Sequence, residues 1–355
     1  MGKLDGITVI DLTQFLPGPM LSVMMADQGA TVIKVEPPGG DPARTQAPFE
    51  NDRSVWFANL NRGKTSRTID LKTAAGKAEL TTLIAGADVF FEGFRPGVMG
   101  RLGFSYADVS AMNPGIVYCS ISAFGQTGTL ADHPAHDMAV QALAGFLSVN
   151  DGADGIPVVP GTAASDMAAG LTALSGVLMA LLARTRTGKG DYLDIAMFDS
   201  LLPWGVHTAG SAIAGGPAPL SSQQRSLGGA AFYQIYRTRD DRYVALGGRE
   251  IKFATALLTA LDRPDLISHA DRPAGEQGEL IAYLRGVFAT RSRDEWIAWM
   301  TDKDVAFAPV LDFREALDQP HIAERRLLIE AEGRHHIAPP IRFAGESQWQ
   351  PGAVP

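Results

Sequence analysis

The sequence predicts an α/β fold built on a parallel sheet, followed by a smaller domain that mixes a hairpin with helices. Two observations carry the first half. Short runs rich in Val, Ile and Phe recur between helical segments, at "GITVIDLT" (6–13), "TVIKVE" (31–36), "DVFFEGF" (88–94) and "GIVYCSISAFG" (115–125). They are apolar nearly throughout rather than alternating, which is what strands buried on both faces require. The connections between them are long enough for a crossover helix, and parallel strands need one. A third observation, the Gly-, Ser- and Pro-rich stretch at 210–229, marks a linker before the second half.

Taken in order, the first strand leads through a loop and a helix in "QFLPGPMLSVMMADQGA" to the second strand. Two prolines after Glu36 then force a loop, because proline continues neither a helix nor a central strand. "KTSRTIDL" (64–71) reads as a short strand and "KTAAGKAELTTLIAGA" (72–87) as a helix. Helices are expected at 136–150 and at 164–188, the second apolar almost all round and therefore a core helix. "YLDIAMFDSL" (192–201) resumes as a strand. Beyond the linker, "FYQIYRTRDDRYVALGG" (232–248) alternates around an Asp-Asp turn, a hairpin signal. Helices follow from Ile251 to about Asp304, then a strand, a helix and a return path over 305–330.

Composition narrows the function. A chain of 355 residues, 46% hydrophobic and with a formal net charge of -8, reads as a soluble globular protein and not as a nucleic-acid binder, which needs a basic surface. One cysteine, Cys119, leaves neither a disulfide framework nor a thiolate metal site, and a reducing cytoplasm fits best. No secretory leader is evident, and no apolar run is expected to reach the length that crosses a bilayer, so no membrane partner is expected. There is no HExxH, no phosphate loop, no completed dinucleotide fingerprint and no GxSxG elbow. Metal is accordingly not expected.

A few residues stand where chemistry is possible. Arg62, Lys64, Arg67, Arg95 and Arg101 cluster between strands; the ordinary reading is a solvated surface, the functional one an anion site at strand ends. His136 precedes a helix, where it either packs or caps, or serves as a base kept neutral by the helix dipole. Backbone N–H groups at Asp137, just beyond it, are free to meet an oxyanion. Asp166 and Ser165 begin the apolar helix, where an N-cap is the default explanation, and Glu250 also reads as a helix-start acid.

Taken together, "QGATVIKVEPPGGDP" (28–42), "ADVFFEGFRPGVMGRLG" (87–103), "YCSISAFGQTG" (118–128), "AHD" (135–137), "SDMAAG" (165–170) and "RTRTGKGDYLDIAMFDS" (184–200) resemble the family III CoA transferases of the CaiB/BaiF type. The resemblance runs over nearly the whole chain. It implies a Rossmann-like large domain in 1–209, the linker 210–229, a small domain in 230–308 and a return to the large domain in 309–355. It also implies an interlocked homodimer. The substrate implied is an acyl-CoA thioester, so coenzyme A enters as part of the substrate and no cofactor is held permanently; Arg62, Lys64, Arg95 and Arg101 become candidates for its phosphates.

Two reactions are compatible with that family. In its α-methylacyl-CoA racemases, residues matching His136 and Asp166 flank the α-carbon and a residue matching Glu250 supports the histidine. This sequence has all three, so its catalytic residues are most similar to the racemases, with proton transfer through an enolate as the leading expectation. Formyl-CoA transferase has a tyrosine where His136 stands and a glutamine where Leu16 stands. The alternative is CoA transfer with Asp166 as nucleophile, and "SDMAAG" is nearer that pattern.

Overall fold

The computed structural model describes residues 2–152, 154–345 and 348–355. The chain divides into two compact units, the first formed by 1–144, 160–204 and 320–355, the second by 145–159 and 205–319.

The first unit runs β1 (Thr8–Asp11), α1 (Pro17–Ala26), β2 (Thr31–Glu36), α2 (Val55–Asn61), β3 (Lys64–Thr68), α3 (Ala74–Ala85), β4 (Val89–Glu92), α4 (Val98–Leu102), α5 (Tyr106–Met112), β5 (Val117–Ser122), α6 (Asp137–Leu143), α7 (Ala164–Thr187), β6 (Asp191–Ala196) and α8 (Met197–Leu201). The six strands form one sheet in the order β3-β2-β1-β4-β5-β6, every neighbouring pair parallel. Because side chains alternate along a strand, each strand feeds two cores. Val9, Val32, Val89, Phe91, Val117 and Cys119 meet Leu21 and Met25 of α1 and Ala169, Ala173 and Val177 of α7 on one face. Ile10, Val35, Phe90 and Tyr118 meet Leu80 and Ile84 of α3 and Val109 of α5 on the other. Burial on both faces is the reason these strands read as unbroken apolar runs.

The strand order reverses between β1 and β4, and in open sheets of this kind ligands bind beyond the carboxyl ends of the strands at that point. α7 crosses the same face against α1, and the two backbones approach closely: a Cβ on Gly170 would lie 2.6 Å from Met20 Cε and 2.9 Å from the Pro17 carbonyl oxygen. At 24 residues α7 is long and apolar enough to cross a bilayer by length and composition, which corrects the expectation that no such run exists. In this unit it packs on α1, α6, α8, β5 and β6, as a core helix does.

Two elements differ from expectation. The helix expected over 136–150 stops at Leu143, because Gly145 turns left-handed at φ +85° and a short 3-10 turn follows. The strand expected over 192–201 ends at Ala196, and the remainder is α8.

The second unit holds an antiparallel sheet in the order β9-β8-β7, formed by β7 (Tyr233–Arg237), β8 (Tyr243–Gly247) and β9 (Phe307–Pro309). It packs with α9 (Ile251–Ala260), α10 (Gly278–Phe288) and α11 (Arg293–Met300) around Tyr236, Val244, Leu257, Leu284, Phe288 and Trp296. Its main segment runs from 205 to 319. β9 supplies the sheet's third strand, and Arg293 holds Glu315 of the next helix at 2.7 Å, so the chain stays with this unit past 308. The stretch 145–159 also belongs here, where Ser221 Oγ donates to Asp151 Oδ2 at 2.8 Å. The returning segment forms β10 (Leu328–Ala331) and β11 (Arg334–Ile337), a hairpin fastened to the first unit by the His335 N–H donating to Glu50 Oε2 at 2.8 Å.

Candidate active site

The loop after β1 is fixed by charges buried beneath it. Asp11 Oδ1 accepts from the Thr13 N–H at 2.9 Å, and Asp11 Oδ2 accepts from Ser22 Oγ at 2.5 Å and from Lys64 Nζ at 3.2 Å. Lys64 also donates to Ser22 Oγ and Asn61 Oδ1 at 2.7 and 2.9 Å. Lys34 Nζ reaches the Thr13 carbonyl at 2.9 Å and Asp41 Oδ2 at 2.7 Å. Burial raises the Asp11 carboxyl, but Lys64, Lys34 and the two hydroxyls outweigh it and hold Asp11 at about 2. Burial pushes Lys64 down to about 8.

This clasp sets the loop that carries Phe15. Phe15 has φ +62°, an unusual conformation for a side chain of its size. Its ring meets the His136 imidazole edge-on, with centroids 6.2 Å apart.

His136 occupies the residue before α6 in extended conformation and is exposed. Its side chain makes no capping hydrogen bond, so the ordinary capping role is not realised. The next residue, Asp137, spends its carboxylate on the start of α7. Oδ1 accepts from the Ser165 N–H at 2.7 Å, Ser165 Oγ at 2.6 Å and the Asp166 N–H at 3.2 Å, while Oδ2 accepts from Gln141 Nε2 at 2.6 Å. An acidic group outside α7 thus does the work expected of Asp166 or Ser165, and α7 has no capping side chain of its own. Among the described residues, the Asp137 backbone N–H has no acceptor.

Asp166 is thereby left free. It sits in the first turn of α7, half-buried, and among the described residues its carboxylate has no hydrogen-bond partner. Burial, and then the charge of Asp137, push it up to about 7. A carboxylate with that basicity and no partner is available to a substrate as a nucleophile or as a base.

The four candidate cations separate into two pairs. Arg62 is buried, with Nη2 and Nε on Asp27 at 2.6 and 3.1 Å and its guanidinium over the Trp349 ring at 4.9 Å. Lys64 is buried in the clasp. Arg62 and Lys64, expected from the resemblance to meet CoA phosphates, are each bound to a carboxylate inside the fold. Arg95 and Arg101, in the loop and helix after β4, are exposed and have no side-chain partner among the described residues. Glu250 stands just before α9 in the second unit, exposed and making no capping hydrogen bond.

Sequence reading missed Phe15 and Gln141. Phe15 had no signal, because its positive φ is not written in its residue type. Gln141 did have one: it lies four residues after Asp137, on the same helix face.

The model of one family, described as CoA-transferase family III, matches residues 4–355. The chain belongs to that family. It is 37% identical to the acetyl-CoA:oxalate CoA-transferase of Acetobacter aceti, over 99% of this chain and 92% of that protein. It is 33% identical to the human α-methylacyl-CoA racemase, over 93% of this chain and 83% of that one. Among solved structures, a CAIB/BAIF family protein from Brucella suis superposes with a TM-score of 0.85 at 29% identity, covering 97% of this chain and 93% of its own. The family works on CoA thioesters, which suits an unpartnered carboxylate beside the ligand end of the sheet. The more similar of the two named relatives is a transferase, which reorders the two reactions expected from the sequence.

Proposed function

We propose that the protein moves CoA between carboxylic acids, with Asp166 as the nucleophile. The observation that carries this reading is the half-buried Asp166 carboxylate, unpartnered among the described residues, on a helix start whose Ser165 and Asp166 N–H groups are already satisfied by Asp137. Asp166 attacks the thioester carbonyl of the donor acyl-CoA, expelling CoA thiolate and forming a mixed anhydride. The thiolate then attacks the Asp166 carbonyl, releasing the donor carboxylate and leaving CoA on Asp166 as a thioester. The acceptor carboxylate repeats the two steps in reverse, and Asp166 is restored.

The remaining assignments are part of the same proposal. Arg95 and Arg101, which are free, meet CoA phosphates. The Asp137 N–H stabilises the oxyanion at the thioester carbonyl. The chain acts as an interlocked homodimer; support comes from the exposed apolar stripe Leu171, Leu178, Met179 and Leu182 along α7. Small dicarboxylic acids are the first acceptors to try, since relatives are named for oxalate, glutarate and mesaconate.

A second reading, racemisation of a 2-methylacyl-CoA, is favoured by the His136 ring beside Asp137, which makes no capping hydrogen bond. Incubation with acetyl- or succinyl-CoA and a panel of acids, quenched with hydroxylamine, decides between them. Transfer reads out as new thioesters and a hydroxamate on Asp166. Deuterium entering the α-position of a 2-methylacyl-CoA, with no adduct on Asp166, would overturn transfer in favour of racemisation.

A further inference from the structure

We infer that Gln141 is a positioning residue: it holds the Asp137 carboxylate against the first turn of α7 and so fixes the backbone from which Asp166 is presented. The inference deepens the proposed function and rests on Asp166 being the reacting group.

Gln141 is 4% exposed, and its amide nitrogen makes two contacts, to Asp137 Oδ2 at 2.6 Å and to the Thr162 carbonyl at 3.2 Å. Both of its hydrogens are used, and both acceptors carry negative charge or partial charge. The amide has one acceptable orientation, since its oxygen in that place would face a carboxylate and a carbonyl. Through Thr162 the same side chain ties α6 to the segment that enters α7. Asp137 then spends Oδ1 on Ser165 and Asp166. The chain of contacts Gln141, Asp137, Ser165 and Asp166 is continuous, and Ser165 is fully buried.

The charges around Asp166 are few. Among the elements packed on α7, α1 carries no charged side chain and β5 none beyond Tyr118 and Cys119. α6 carries Asp137, with His136 just before it, while α8 carries Asp199 and β6 carries Asp191, Tyr192 and Asp194. Asp137 is the one whose charge bears on Asp166. A change at Gln141 therefore reaches Asp166 through Asp137.

The test compares Gln141→Leu with Gln141→Glu. In the leucine variant, kcat for CoA transfer should fall by about tenfold or more while KM for the acyl-CoA stays within about twofold, as for an orienting residue. Compared with the native protein at the same pH, the glutamate variant should be as slow near pH 8 but close part of the gap toward about pH 5.5, where the introduced carboxyl and Asp137 share a proton. A role confined to packing predicts no such recovery. A readout independent of activity is the Asp166 titration followed by carbon NMR of labelled aspartate, assigned with Asp166→Asn. In Gln141→Leu it should move toward the ordinary carboxylate range by about half a pH unit, as Asp137 swings away. An unchanged titration, or a glutamate variant with no acid recovery, overturns the inference. Absence of any transfer by the native protein, with the titration shift still present, overturns the function reading alone.

Discussion

Lys64 Nζ lies 3.2 Å from Asp11 Oδ2, and neither side chain reaches solvent. Removing one partner of such a pair leaves the other charged and buried, which costs about 3–5 kcal/mol. Lys64→Met should therefore lower unfolding free energy by that order in urea titrations. The double variant Lys64→Met, Asp11→Asn should recover part of the loss, since it leaves no orphaned charge. A Lys64→Met protein of native stability with weakened CoA binding would return Lys64 to the phosphate site.

Arg95 and Arg62 should behave oppositely. Arg95 is exposed and unpaired, so Arg95→Ala should leave the melting temperature unchanged and raise KM for acyl-CoA about tenfold, the scale of one charge-assisted phosphate contact. Arg62→Ala strands the buried Asp27 carboxylate and should depress the melting temperature by several degrees, about 1–3 kcal/mol, with CoA affinity retained in the folded fraction. Thermal melts beside CoA titrations read both effects at once.

Asp166 makes the fold less stable as pH rises. Its carboxyl titrates at about 7 in the fold against 3.8 for an ordinary aspartate, so between those values the folded chain keeps a proton that the unfolded chain has released. Stability therefore falls through that window and is flat above it. Asp166→Asn carries no such proton, so its advantage in unfolding free energy should be near zero at about pH 4, grow to about pH 7 and then level off at about 4 kcal/mol, since each pH unit of that window is worth about 1.4 kcal/mol. A constant difference at every pH would show that Asp166 is not held protonated.

How much of this was legible depends on whether a feature is local. The strands announced themselves because burial on both faces leaves an apolar run, and the hairpin at 233–247 because an Asp-Asp turn sits between alternating residues. The break in the helix after Leu143 was signalled by Gly145, but glycine also occurs inside helices. The commitment of Lys64 to Asp11, 53 positions away, could not be read, because charge type says nothing about which carboxylate the fold brings near. The same holds for Asp137, which looked like a supplier of backbone N–H groups and proved to cap a helix 28 residues downstream. Asp166 was identified from the resemblance, yet its freedom from capping follows only from Asp137 doing that work.

His136 separates the two chemistries. During CoA transfer the bonds that change lie at carbonyl carbons and no α-proton moves, so His136 has no proton to carry. His136→Gln should accordingly keep transfer within about threefold, the loss coming from packing against Phe15 rather than from chemistry. Racemisation requires a group on each side of the α-carbon, and losing one should slow deuterium exchange by at least about a hundredfold. Measuring both activities on the one variant is decisive, since a misfolded protein loses both together. Retained transfer with any exchange abolished assigns Asp166 the covalent step and His136 the proton; loss of transfer alone would place the histidine in the transfer mechanism itself.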